Sequence, residues 1–108
     1  MGVFDFISNK IGQAAETAAE ARDKAEEMEE WEIIRKLKHI NGIAEASGYI
    51  AVLRERCESL DDTELIELME SASNDKNAKA VQAMASVMEA RNLIYRDDNG
   101  KIHRKYSY

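Results

Sequence analysis

Residues 43–60 read IAEASGYIAVLRERCESL, and apolar side chains recur in this stretch at Ile43, Ala46, Ile50, Leu53, Cys57 and Leu60. Alternating steps of three and four residues are the seam of a helix packed nearly antiparallel on a neighbour. No other segment keeps the helical period so regularly, so the reading starts from a mainly α fold. Gly48 interrupts the seam at a cost of about 1 kcal/mol relative to alanine. Its presence predicts a close helix crossing or a local weakness.

Moving toward the C-terminus, Leu60-Asp61-Asp62-Thr63-Glu64-Leu65 is a compact helix start. Asp61 takes the N-cap position, Glu64 the N3 position, and Leu60 faces Leu65 as a staple. A short helix is predicted from Asp62 to about Ala72, with Leu65, Ile66, Met69 and Ala72 inward. After a polar turn at 71–77, in which Asp75 can cap, a further helix runs to Arg91 with Val81, Met84, Ala85 and Met88 inward. From Ala78 to Ala90, 9 of 13 residues are Ala, Val or Met, a composition apolar on nearly every side and expected to be buried. Asn92 suits a left-handed C-cap. Leu93, Ile94 and Tyr95 are β-prone, and Asp97-Asp98-Asn99-Gly100 is a turn, so a basic hairpin is predicted over 93–106. Two registers fit it: a two-residue turn pairing Asp98 with Lys101, or a four-residue turn pairing Tyr95 with Ile102.

Toward the N-terminus, Asn41-Gly42 is a helix stop through its tolerance of the left-handed conformation. Before it, Phe4, Ile7, Ile11, Ala14, Ala15, Ala18 and Ala25 fall on one stripe at 100° per residue, and Ile33, Leu37 and Ile40 return to nearly the same side. One long amphipathic helix over 1–40, or two in line, is the expectation. It forms an acidic arm ahead of a compact three-helix bundle at 41–108 that ends in the hairpin. An alanine stripe contributes only about 0.8 kcal/mol per methyl-sized group, so the arm needs a partner. Phe4, Ile7, Ile11, Trp31 and Ile34 are the candidate interface anchors, in the manner of a coiled coil.

The composition agrees. Among 108 residues there is no proline and 6% aromatic side chains, with a net charge of −6. Such a chain is neither two full domains nor a polycation built to coat nucleic acid or anionic lipid. Charge is polarised: residues 1–34 carry a net −6, residues 35–90 a net −3 and residues 91–108 a net +3. The single Cys57 forms no intramolecular disulfide, which fits a reducing, cytoplasmic setting. No secretory leader is read at the N-terminus. No apolar run approaches the roughly 20 residues of a membrane span, and the acidic turns after Phe6 disfavour a membrane surface.

Nothing in the residue pattern assembles catalysis. Cys57 lies on the seam as a small hydrophobe, while His39 and His103 stand in basic surroundings without an orienting carboxylate. One cysteine and two histidines match no zinc spacing. Counted from Asp97, Ile102 and Tyr108 occupy the positions where a calcium loop needs Gly and Glu. The expectation is therefore no enzyme, no cofactor and no metal.

The order of short helix, polar turn, longer helix and hairpin, with RNLIYRDDNGKIHRKY at 91–106, resembles the second half of a winged-helix DNA-binding domain. The resemblance covers residues 61–108, with Ile43 to Leu60 as a first helix. It implies that Lys76, Lys79 and Gln82 face the major groove and that Arg96, Lys101, His103, Arg104 and Lys105 contact the backbone or minor groove from the wing. The arm would then dimerise a transcriptional regulator. The primary expectation is a protein partner or a second copy, with nucleic acid as the alternative.

Overall fold

The computed structural model describes the backbone from Val3 to Tyr106 and side chains from Ala15 to Tyr106. Among the described residues the chain forms helices α1 (Val3–Glu26), α2 (Glu30–His39), α3 (Ile43–Glu58), α4 (Asp62–Asn74) and α5 (Ala78–Ala90), then strands β1 (Ile94–Arg96) and β2 (Ile102–Arg104). The fold is mainly helical with a small C-terminal antiparallel hairpin, as the period and turn residues predict.

Residues 1–40 do not form one rod. The helix breaks at Glu27-Met28-Glu29, where Glu29 turns extended as the N-cap of α2 and its backbone N–H donates to Glu32 Oε1 at 3.4 Å. The two pieces are not in line. Arg22 pairs with Glu55 at 2.7 Å and the Glu26 carbonyl accepts from Arg56 at 2.7 Å, so α1 runs parallel to α3. Glu30, at the start of α2, lies 3.6 Å from Arg56 near the end of α3. Helix α2 is therefore the return leg and the antiparallel neighbour the α3 seam asks for.

Helix α3 touches α1, α2 and α5, which widens its buried arc beyond one seam. Ala46, Leu53 and Cys57 are buried as predicted, joined by Gly48, Tyr49 and Val52. Ile43, predicted inside, is 88% exposed: as the first residue of the helix it lies beyond its neighbours. Gly48 marks a close crossing. A Cβ built there would lie 2.7 Å from Ala21 Cβ and 2.9 Å from Arg22 N, and nearer still to the Ala18 carbonyl oxygen. Small residues on both helices thus bring two backbones together.

The core joins Ala21 and Ala25 of α1, Ile33, Leu37 and Ile40 of the second segment, and the inner faces of α3, α4 and α5. It runs straight through residue 40, at which the sequence reading divides arm from compact domain; α2 is part of the globule. In α5, Ala80, Ala83, Met84, Ala85, Val87 and Met88 are all buried, as its composition predicts.

Helix ends are closed in two ways. Asp61 caps α4 by accepting from Glu64 N at 2.8 Å. Asn77, not Asp75, caps α5 by accepting from Ala80 N at 3.3 Å, while Asp75 stands at the C-cap of α4. Helices α4 and α5 both end in Schellman motifs, with Lys76 (φ 56) and Asn92 (φ 64) left-handed and Asn77 N and Leu93 N bonded back to Ala72 O and Met88 O. The earlier ends use cations from elsewhere. Arg56 donates to Glu26 O and Met28 O, Lys79 to Ile40 O, and Arg91 to Cys57 O and Glu58 O. The Asn41-Gly42 stop is real but not left-handed: Gly42 has φ −79 as the N-cap of α3.

In the hairpin Tyr95 pairs with His103 and Arg96 with Ile102, between the two predicted registers. The Asp97 side chain decides it. Asp97 Oδ1 accepts from the backbone N–H groups of Asn99 and Lys101, each at 2.9 Å. Gly100 at φ +80 completes a three-residue loop.

Candidate interaction surface

Helix α2 turns Ile33 and Leu37 into the core. At 100° per residue the opposite side carries Trp31, Glu32, Arg35 and His39, in line with Met28 of the preceding turn. These residues, with Lys36, line a shallow groove of about 290 Å³. Trp31 is 53% exposed. Its indole Nε1 donates to Glu29 Oε2 at 2.6 Å and the Arg35 guanidinium lies 5.7 Å from its ring centroid. The ring is thus held by its polar edge and one face, and is fixed without being covered.

Of the candidate anchors, the side chains of Phe4, Ile7 and Ile11 lie outside the described residues. Trp31 is on the surface, but Ile34 is half-buried against the core and its carbonyl accepts from Asn77 Nδ2 at 2.6 Å. Ile34 is a packing residue because α2 contacts both α3 and α5. Met28, Arg35, Lys36 and His39 join Trp31 in their place. The steps of four from Trp31 through Arg35 to His39 were the available signal.

The residues implied by the winged-helix resemblance scatter and are mostly engaged. Lys79 closes α2 through the Ile40 carbonyl. Gln82 accepts from Arg96, which also pairs with Glu89 at 2.9 Å. Arg104 bonds Glu70, Lys105 bonds Asn92, and His103 Nε2 meets Asp97 Oδ2 at 2.8 Å while stacking on Tyr95. Contrary to the expectation from spacing, His103 does have an orienting carboxylate, brought across by the hairpin turn. Lys76 and Lys101 are exposed. A cleft of about 330 Å³ under the hairpin is lined by Met69, Val81, Ile94 and Tyr106, among others. The Tyr106 hydroxyl there donates to Glu70 at 2.7 Å. Burial and the adjacent Glu70 push the phenol up to about 12, so it stays a neutral donor.

Cys57 is buried. Burial, then the nearby Glu30 carboxylate, pushes its thiol up to about 12, leaving no nucleophilic thiolate near neutrality. Among the described residues no group of three His, Cys, Asp or Glu side chains is arranged to hold a metal ion. No helix among them is long and apolar enough to cross a membrane.

Comparison with known proteins gives no match to a family model, a curated protein or a solved structure.

Proposed function

We propose that this chain is a small, non-enzymatic protein–protein interaction module that associates, with copies of itself in the first instance, through its N-terminal helical region. In this reading the outer sides of α1 and α2, within residues 1–40, are the interaction surface, and the core they share with α3 to α5 holds that surface in place. The observation that carries the reading is Trp31: a fixed, half-exposed indole on a rigid helix, the side chain most enriched among residues that dominate binding energy. The alanine face of α1 is not part of that surface: Ala21 and Ala25 are buried in the core, and Gly48 of α3 packs on Ala18 and Ala21, so the partner this face needs is α3 of the same chain and only the outer side of α1 is left for another copy.

A winged-helix-like DNA-binding role is the alternative and has less support. Helix α5, which would read the major groove, is buried around most of its circumference, and most wing cations are already bonded within the chain.

The test is mass by light scattering for the wild type, for Phe4→Ser with Ile7→Ser, and for Trp31→Ala. The expected result is an associated wild type and monomeric variants with unchanged helical circular dichroism. A wild-type mass of one chain overturns self-association, and variants that keep an associated wild-type mass overturn the N-terminal region as its interface.

A further inference from the structure

We infer that the groove on the outer face of α2 receives the acidic face of α1 from a second copy of this chain. The inference rests on the self-association proposed above and names the surfaces that meet.

The argument begins with α1. Glu16, Glu20 and Asp23 are exposed and stand at i, i+4 and i+7, one stripe on the side opposite Ala18, Ala21 and Ala25, and the exposed Glu27 follows in the turn just after the helix. None of the four takes part in an ion pair among the described residues; Arg22, the one α1 cation with carboxylate partners there, is spent on Glu26 and Glu55. The three on α1 are like charges that repel one another on one helix face, and Lys24 beside them forms no ion pair with any of them among the described residues.

Helix α2 supplies the complement. From Ile33 to Ala44 the chain has no acidic residue and carries Arg35, Lys36, Lys38 and His39. Lys38 pairs with Asp75 at 2.7 Å, but Arg35 and Lys36 have no carboxylate partner among the described residues. Both line the groove beside Trp31. At its other end the groove keeps the negative charges of Glu32 and Glu29, which accept only neutral N–H groups, of the Glu29 backbone and the Trp31 indole, so it is the basic end at Arg35 and Lys36 that receives the stripe.

Within one chain the two faces cannot neutralise each other. Helix α1 lies along α3 with its acidic stripe turned outward, and α2 presents its groove away from its own buried Ile33 and Leu37. A second copy brings both what they lack. Its stripe reaches Arg35 and Lys36, and the exposed Ala15 and Ala19 beside that stripe let a helix backbone approach the Trp31 ring closely. Opposed charge fixes partner and register, and the indole supplies the apolar contact.

The experiment is charge reversal in the full chain with mass and sedimentation as readouts. Arg35→Glu with Lys36→Glu is one variant and Glu20→Lys with Asp23→Lys is the other. Each alone is expected to be monomeric with wild-type circular dichroism, and an equimolar mixture is expected to regain association. Wild-type association should weaken about tenfold or more between low and high salt. Association that persists through both variants but is lost in Phe4→Ser with Ile7→Ser overturns this inference and leaves self-association standing. A wild type that stays monomeric at high concentration overturns both. Variants that are monomeric alone and stay so when mixed also overturn it, as does a monomer whose groove cations instead shift duplex DNA.

Discussion

Asn77 ties two helices together through Ile34: its Nδ2 donates to the Ile34 carbonyl at 2.6 Å while its Oδ1 accepts from Ala80 N. Both ends of a buried amide are thereby satisfied, and the start of α5 is pinned to the middle of α2. Asn77→Ala removes an N-cap worth about 0.5–2 kcal/mol and a buried hydrogen bond worth about 1 kcal/mol. A loss of about 2 kcal/mol in urea unfolding is expected; an unchanged midpoint would contradict the tie.

Gly48 gives a prediction whose sign is opposite to helix propensity. In an open helix Gly→Ala gains about 1 kcal/mol. Here the new methyl meets the Ala21 methyl, the Arg22 nitrogen and the Ala18 carbonyl, and backbone cannot step aside without moving α1. Gly48→Ala should lose about 1–3 kcal/mol as overpacking. A more stable variant would mean that the crossing is looser than described.

Lys76 holds a left-handed conformation at φ 56, which strains a residue bearing a Cβ by about 1 kcal/mol. Lys76→Gly relieves that strain but frees the unfolded chain by about 0.4–1 kcal/mol, so a net gain of at most about 0.5 kcal/mol is expected. Lys76→Ala keeps the Cβ and should change little. Thermal unfolding of the pair separates backbone strain from loss of the charge.

Asp97 makes the hairpin sensitive to acid. The bond from the His103 ring, then the backbone N–H groups of Lys101 and Asn99, hold its carboxyl below the ordinary range. A depressed folded value stabilises above the ordinary aspartate value of about 3.9, and the contribution is lost as pH falls through the lower folded one. The cross-strand NMR signals of Tyr95 and His103 should fade below about pH 4 before the helical core unfolds, and Asp97→Ala should fray the hairpin at neutral pH. Signals that persist in Asp97→Ala would remove Asp97 as the register lock.

Cys57 reports on opening of the core. Its buried thiol, pushed up to about 12, should resist a charged disulfide reagent in the native chain and react at once in urea. Fast labelling without denaturant would show that α3 and α5 separate readily.

The sequence reading recovers what is local. Asp61 as a cap, Asn92 as a left-handed terminator and the buried circumference of α5 each depend on residues within a turn or two of one another. What it misses depends on distant partners. Near Glu27 the local mark is the Glu29–Glu32 capping box that starts α2, which the stripe projection passes over, while the end of α1 is finished by Arg56 of another helix, which takes the carbonyls of Glu26 and Met28. Ile34 looks like an anchor by projection, yet α5 lies against it. The hairpin register turns on a side-chain bond from Asp97, which strand pairing alone does not contain. At the surface, Trp31 stands out by type, whereas the groove around it needed α2 to be seen as a separate helix.

The use of Arg56, Lys79 and Arg91 to finish three helices has an outcome for folding as a whole. A helix whose last carbonyls are seized by a cation from another segment owes part of its border to the tertiary fold, even where, as at Asn41-Gly42, the local sequence also turns the chain. Cut free as synthetic peptides, these segments would unravel past their native limits or wind beyond them, and only collapse of the complete chain would set the borders, all at one time.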